Sequence, residues 1–360
     1  MDMKDVLCMN TGEGESSYLL NSKFTNVTAI KSIPTLKRAI ESLFKEESPP
    51  FEHLLNVADL GCASGSTSNT IMPTVVQTVV NKCRELNHKI PEFQFYLNDL
   101  PSNDFNTLFK GLNGFVGSGG EEFENTSCLV MGAPGSFHGR LFPLNTIHLV
   151  YSNYSVHWLS KVPDLRDEKG NPINKGTFYI SKTSPSGVRE AYLAQFQKDF
   201  TLFLKSRAEE MVSNGRVVLV LHGRLSQDFS CEKELQLPWL ILSQAISRLV
   251  SKGLIDEEKL DSFEVPYYTP SVQEVKELVE GEGSYAVELM ETFTIRIGAR
   301  NEGIWSDARG FGNNLRSITE TMISHHFGPQ ILDELYDEIQ DLPLQDFATQ
   351  CSFVVGLKRN

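Results

Sequence analysis

The sequence predicts a Rossmann-like α/β fold: a doubly wound, mostly parallel sheet with helices on both faces and a mostly helical cap. Three observations predict it. Short apolar runs alternate with longer amphipathic stretches, the pattern of strands buried on both faces and joined by crossover helices. A glycine pair, Gly61 and Gly65, directly follows the first of these runs, at the strand-to-helix turn where such sheets bind ligands. Between Leu225 and Pro270 the alternation gives way to an apolar helix and a Pro/Tyr-rich loop, a composition suited to a lid.

The strands are expected at LLNVADLG (54–61), FQFYLNDL (93–100), SCLVMGAPG (127–135), TIHLVYSNYS (146–155) and RVVLVLHG (216–223). A first helix runs to about Leu86. A second spans Pro185 to Asn214, with Val188, Tyr192, Phe196, Phe200, Phe203 and Leu204 on one face and Gly215 as its stop. The cap holds the helix LPWLILSQAISRLVSKGLI and the loop EVPYYTP. SYAVELMETFTIR and CSFVVGLKRN alternate as a closing antiparallel pair, with the helix NLRSITETMISHHFG between them, ending at Gly328. GSGGEEFENTS (117–127) reads as a mobile loop.

A net charge of −13, from 33 basic and 46 acidic residues, repels phosphate backbones and anionic bilayers, which excludes nucleic acid and membrane surfaces as partners. The N-terminus lacks an apolar signal core, and no stretch offers the roughly 18 apolar residues of a membrane span, so a cytosolic location is expected. Cys8, Cys62, Cys83, Cys128, Cys231 and Cys351 form no CxxC pair and read as reduced packing residues.

In NVADLGCASGS the glycine spacing is GxxxG. A dinucleotide needs the closer GxGxxG for backbone to reach its pyrophosphate, whereas an adenosyl ligand with a methionine tail carries no phosphate. An NAD-dependent oxidoreductase is disfavoured on this ground. Asp99, at the tip of the second strand, is placed to accept both hydroxyls of a ribose, with Leu100 beside it for an adenine face. Ser136 and Phe137, after the third strand, are candidates for the other face and the exocyclic amine. His222, at the fifth strand tip, points to the acceptor side, and Tyr154, His157 and Trp158 could hold a flat acceptor by stacking and hydrogen bonds. His157 is also a candidate for taking a ring proton. The His325-His326 pair sits in the last turn of a helix, where it complements the dipole.

The strings MNTGEGESSYLLNS, DLGCASGS, FYLNDLPSNDFNTLF, GAPGSFHGRLFP, YSNYSVHWLSKVP and NKGTFYISKTSP together resemble the plant SABATH methyltransferases, and KCRELN, YSVHWL and REAYLAQFQKDFT resemble tea-type caffeine and theobromine synthases among them. The resemblance implies an S-adenosylmethionine-dependent methyltransferase core (51–224 with 284–360), an N-terminal segment closing the active site (1–50), an acceptor-binding cap (225–283) and a homodimer. Its implied cofactor positions are Tyr18, Asn21, Asp59, Gly61, Cys62, Thr67, Asp99, Leu100, Ser136, Phe137, Asn153 and Ser155, for S-adenosyl-L-methionine and its product S-adenosyl-L-homocysteine. Tyr18, Thr25, Tyr154, His157, Trp158, His222 and Tyr267 are expected at a small planar acceptor, with Tyr154, His157 and Trp158 nearest the chemistry and Tyr268 closing the pocket beside Tyr267. Asn174, Asp261, Phe263 and Glu264 match magnesium positions, although the chemistry requires no metal.

The chain departs from the family where Ser66, Thr67 and Ser68 replace the usual Pro-Asn-Thr. Thr25 stands where carboxyl-methylating relatives present a Gln, and Asn10 where they carry a basic residue, so a carboxylate would lose charge-assisted hydrogen bonds. A xanthine N-methyltransferase is therefore expected, with a carboxyl O-methyltransferase acting on salicylate-, benzoate- or jasmonate-like acids as the alternative and a silent ligand-binding relative as a third reading.

Overall fold

A computed structural model describes residues 6–45, 49–112, 115, 126–225, 229, 237–297, 303–305, 307–340 and 349–360. The strands are β1 (Leu54–Leu60), β2 (Glu92–Asp99), β3 (Cys128–Pro134), β4 (Ile147–Asn153), β5 (Met211–His222), β6 (Tyr285–Arg296) and β7 (Thr349–Arg359). They form one seven-stranded sheet in the order β3-β2-β1-β4-β5-β7-β6. The first five are parallel, and β7 inserts antiparallel between β5 and β6, the expected closing pair. Chain order reverses between β1 and β4, which opens a crevice at their carboxyl ends. Every residue of β4 is buried, which explains why its sequence lacks a strict apolar/polar alternation.

One face of the sheet is covered by α2 (Lys23–Leu43) and α3 (Ser68–Leu86), whose Leu36, Ile40, Val75 and Val79 pack on Leu55 and Phe93. The short helix α1 (Tyr18–Asn21) precedes them, and α4 (Phe105–Lys110) follows β2. The opposite face is covered by α5 (Ser186–Glu210) and α8 (Val272–Glu282). A separate apolar cluster unites α6 (Leu237–Ser251), α7 (Glu257–Asp261), α9 (Ala308–Phe327) and α10 (Leu332–Gln340). This packing departs from a cap bounded at 225–283. Ile304, Trp305 and residues of 307–340 share the cap's core, while Val275 and Val279 of α8 pack with the sheet.

Two local differences have physical causes. The helix expected to Asn214 stops at Glu210, because the carbonyls of Glu209 and Glu210 accept the Asn145 and Thr146 amides and Met211 at once pairs with Ile147. Asn214 then takes φ 64°, and Gly215 fits where a Cβ would lie 3.1 Å from the carbonyls of His148 and Val212. The N-terminal 50 residues are also more than a closing segment, since α2 is a 21-residue element of the fold. Of the loop 117–127 only 126–127, and of the cysteines all but Cys231, fall within the described residues; Cys8, Cys62, Cys83, Cys128 and Cys351 are not joined in disulfides. Among the described residues no helix is long and apolar enough to cross a membrane.

Candidate active site at the carboxyl edge of the sheet

The crevice is shaped first by backbone. The Asn98 carbonyl accepts the Gly61 and Cys62 amides at 2.8 and 2.9 Å, and its side-chain amide donates to the carbonyls of Ala133 and Gly135 at 2.6 and 2.9 Å. One fully buried asparagine thereby ties together the tips of β1, β2 and β3. Gly61 has φ 81°, and a Cβ there would fall 2.1 Å from Ser155 Oγ, so only glycine admits this approach of the β1 and β4 tips. Beside it, the Asp99 carboxylate accepts the Ala63 and Leu100 amides, both at 2.7 Å, from opposite oxygens. Burial pushes the Asp99 carboxyl up to about 6 despite those bonds.

Past β4 the chain turns sharply, with Tyr154 at φ 60°. A non-glycine residue held in this region is strained, and here its amide on the Val220 carbonyl and its hydroxyl on Ser352 Oγ at 2.6 Å hold it. The turn delivers His157 and Trp158 to the cavity. Trp158 meets Trp239 of α6 edge-on at 5.9 Å and Tyr267 at 4.9 Å, and Phe24 of α2 stacks on Trp305 at 5.9 Å while touching Tyr154 edge-on at 5.2 Å. Asn153 locks α2 onto the β4 tip, accepting from the Thr28 hydroxyl at 2.9 Å and donating to the Thr25 carbonyl at 3.0 Å.

One cavity is lined by Tyr18, Thr25, Gly61, Asp99, Leu100, Ser136, Phe137, Asn153, Tyr154, Ser155, His157, Trp158 and Tyr267, all named from sequence. Asn21, Asp59, Cys62, Thr67 and His222 do not line it. Asn21 spends its side-chain amide on the carbonyls of Glu15 and Ser17. Asp59 lies beneath the β1 tip, accepting from the Ser68 hydroxyl at 2.6 Å and raised to about 6, chiefly by burial and further by the Asp99 charge. Cys62 is buried in the core against α3, and Thr67 stands at the start of that helix. His222 sits one layer behind the wall, its Nδ1 2.8 Å from the Tyr267 hydroxyl and its ring stacked on Tyr154 at 6.1 Å, with burial lowering its pKa to about 3. Tyr268 turns away into the core, its hydroxyl bonded to Arg224 and Glu274.

His157 Nδ1 accepts the His222 backbone amide at 3.2 Å, which assigns the ring proton to Nε2. Burial, reinforced by His222, holds the ring well below the usual imidazole range. A neutral ring with Nδ1 so engaged donates from Nε2, which corrects its candidacy as a proton acceptor. Thr25 is likewise committed, its hydroxyl bonded to the Ser22 carbonyl and to Tyr18 at 3.0 Å each. Burial drives the Tyr18 hydroxyl up to about 12, and Tyr154 and Tyr267 further, so all three are neutral phenols at pH 7.

Residues that sequence reasoning missed include Phe24, Trp239, Trp305, Phe311, His138 and Gln350, together with Leu7 and Met9 of the N-terminal segment. Each reads in sequence as an ordinary core or loop residue, and only packing brings them together. The magnesium positions lie elsewhere. Asp261, Phe263 and Glu264 line a second cavity, where Asn174 and Tyr192 donate to Glu264 Oε2 and the Gly176 amide donates to Asp261. Burial raises the Glu264 carboxyl to about 8, against the hydrogen bonds from Asn174 and Tyr192. Among the described residues no group of three His, Cys, Asp or Glu side chains converges to hold a metal ion.

Comparison with known proteins identifies this arrangement. The family model described as SAM dependent carboxyl methyltransferase matches residues 4–360. A probable 7-methylxanthine methyltransferase of Theobroma cacao is 48% identical over 96% of this chain and 93% of the relative. A probable caffeine synthase of Camellia sinensis is 49% identical over 99% and 97%, and a 3,7-dimethylxanthine N-methyltransferase of Camellia sinensis var. assamica 48% identical over 97% and 94%. Among solved structures, loganic acid methyltransferase with SAH superposes with a TM-score of 0.87 at 31% identity, covering 98% of both chains.

Proposed function

The chain belongs to the family of S-adenosylmethionine-dependent carboxyl methyltransferases, and from that premise we propose that its acceptor is a xanthine, methylated on a ring nitrogen. The enzyme is an S-adenosylmethionine-dependent methyltransferase. The observation that carries the xanthine reading is the near-half identity, over almost the whole chain, to relatives named for methylxanthines and caffeine. The cavity supports it, because no lysine or arginine is among its described lining residues. A carboxylate entering there would lose its hydration without a cation in return, and Thr25 has no free hydroxyl proton to offer it.

When bound, S-adenosylmethionine supplies an electrophilic methyl group on a sulfonium. The residues present fit it. Each Asp99 oxygen keeps a lone pair after its amide bond, enough for a ribose diol, while Leu100 and Phe137 offer apolar faces for adenine and Ser136 a hydroxyl for its amine. Tyr18, bonded to Thr25 in the cavity wall, is proposed for the methionyl end. On the acceptor side Tyr154, Trp158, Trp239 and Tyr267 hold a flat ring and His157 donates from Nε2 to a carbonyl. The chain's work is alignment in a dry pocket, with no covalent nucleophile. Leu7 and Met9 make residues 6–17 the closing segment, and α6 with α9 the acceptor wall. A cytosolic enzyme of a small planar substrate accords with the charge of −13.

Labelled methyl transfer to 7-methylxanthine, theobromine, paraxanthine, salicylate, benzoate and jasmonate tests this reading. At least one xanthine should exceed every carboxylate by about a hundredfold in kcat/KM, a difference of roughly 3 kcal/mol. Trp158→Ala should abolish that turnover while S-adenosylhomocysteine affinity stays nearly intact. Preference for a carboxylate, or loss of both affinities in Trp158→Ala, would overturn it.

A further inference from the structure

We propose that the buried ion pair between Arg207 and Glu210, at the carboxyl end of α5, positions the turn that carries Ser136 and Phe137, and so sets the affinity for the cofactor. The proposal rests on the assignment of those two residues to adenine. Neither side chain of the pair is solvent-exposed, and they meet as a fork, Nε to Oε2 at 2.7 Å and Nη2 to Oε1 at 2.9 Å. Their remaining capacity goes to one stretch of backbone. Arg207 donates from Nη1 to the Phe137 carbonyl at 2.9 Å and from Nη2 to the Gly139 carbonyl at 2.7 Å, while Glu210 Oε1 accepts the amides of Leu141 and Phe142. The guanidinium also lies over the Phe203 ring at 5.5 Å, and that ring meets Phe137 edge-on at 6.2 Å.

Stability alone does not account for this arrangement. A buried pair roughly breaks even against apolar residues of the same volume, because desolvation cancels the attraction. What the charged fork does, and an apolar pair cannot, is hold four peptide groups of residues 137–142 from a helix about 70 positions later in the chain. Within itself the turn has the backbone bond from the Gly139 amide to the Ser136 carbonyl at 3.1 Å, a side-chain bond from Arg140 to the Phe142 carbonyl at 3.0 Å, and a weak contact from the His138 amide to Ser136 Oγ at 3.4 Å. A wall ordered before binding spares the ligand the cost of ordering it, so the pair acts on affinity from behind the cavity. Arg207 and Glu210 are positioning residues that do not line the cavity themselves.

The test is Arg207→Lys, which keeps the charge but has one ammonium head and cannot reach Glu210 and both carbonyls in a plane. The expected results are a dissociation constant for S-adenosylhomocysteine raised at least about tenfold by calorimetry, faster amide exchange at residues 136–142, and acceptor KM and kcat at saturating donor within about threefold of the parent. The apolar double variant Arg207→Met/Glu210→Leu should fold and show the same loss of affinity. A folded variant with lowered thermal stability but a dissociation constant within about twofold of the parent overturns the proposal, as does failure of both variants to fold, which would make the pair's service purely structural. Phe137→Ala separates the premises. If it leaves S-adenosylhomocysteine binding unchanged, the adenine assignment fails; if it weakens binding while Arg207→Lys does not, only the positioning role fails.

Discussion

Asp99 shows how one residue's function works against its local stability. Its carboxyl sits in a buried crevice above Asp59, and burial raises both to about 6. A carboxyl whose pKa is raised on folding costs stability above its unfolded value of 3.8, and that cost is fully present once the pH passes about 6. Ribose recognition needs the same ionised form, because protonation removes an acceptor. Binding of S-adenosylhomocysteine should therefore be strongest above pH 7 and weaken as the pH falls through about 6. Asp99→Asn should bind at least tenfold more weakly at pH 8, each charge-assisted bond being worth about 1.5–3 kcal/mol, and should lose most of the pH dependence. Titration calorimetry at pH 5 and pH 8 measures both effects. Equal affinity of mutant and parent at pH 8 would remove the second strand tip from the ribose site.

Among the elements, α8 illustrates a boundary set by local chemistry alone. Its Ser271 side chain accepts the Glu274 amide at 3.1 Å while Glu274 returns to the Ser271 amide at 2.8 Å, a reciprocal cap on a helix that packs on the sheet away from the cavity. Ser271→Ala should cost about 1 kcal/mol in urea unfolding and leave kcat and both KM values unchanged. Altered kinetics would mean that α8 communicates with the cavity, for which Arg224, bonded to Glu274 and to Tyr268, is the one path among the contacts named above. The α5–β5 junction is the contrasting case. Its boundary follows from pairing with β4 and from the Asn145 and Thr146 amides on the Glu209 and Glu210 carbonyls, neither of which is a local signal.

For the whole molecule, the sheet supplies one half of the cavity and α6 and α9, backed by α7 and α10 in one apolar cluster, the other. The N-terminal stretch bridges them, with the Asn10 amide on the Ser317 carbonyl of α9 and the Asn314 side chain on the Asn21 carbonyl. Resemblance to the family implies a homodimer, and light scattering at micromolar concentration should return twice the mass of 40.4 kDa. A monomer mass would remove that expectation without touching the site.

The sequence by itself determined the strands, the glycine turn and the acid at the tip of β2, because a two-sided buried strand, a positive-φ glycine and a strand-end carboxylate each leave a signal within a few residues. It also carried the family, through motifs spread along the chain. Tertiary structure alone decided the aromatic wall, since Phe24, Trp239, Trp305 and Phe311 come from separate segments whose local patterns are those of ordinary buried residues. The same holds for the residues it removed. His222 ends a strand at the cavity edge yet lies behind Tyr154, and Cys62 packs into the core against α3, because the direction of a side chain at a strand tip depends on the turn that follows it. The His157 tautomer belongs to this class as well. It is set by a backbone amide 65 residues away, a contact that exists only once β4 and β5 lie side by side.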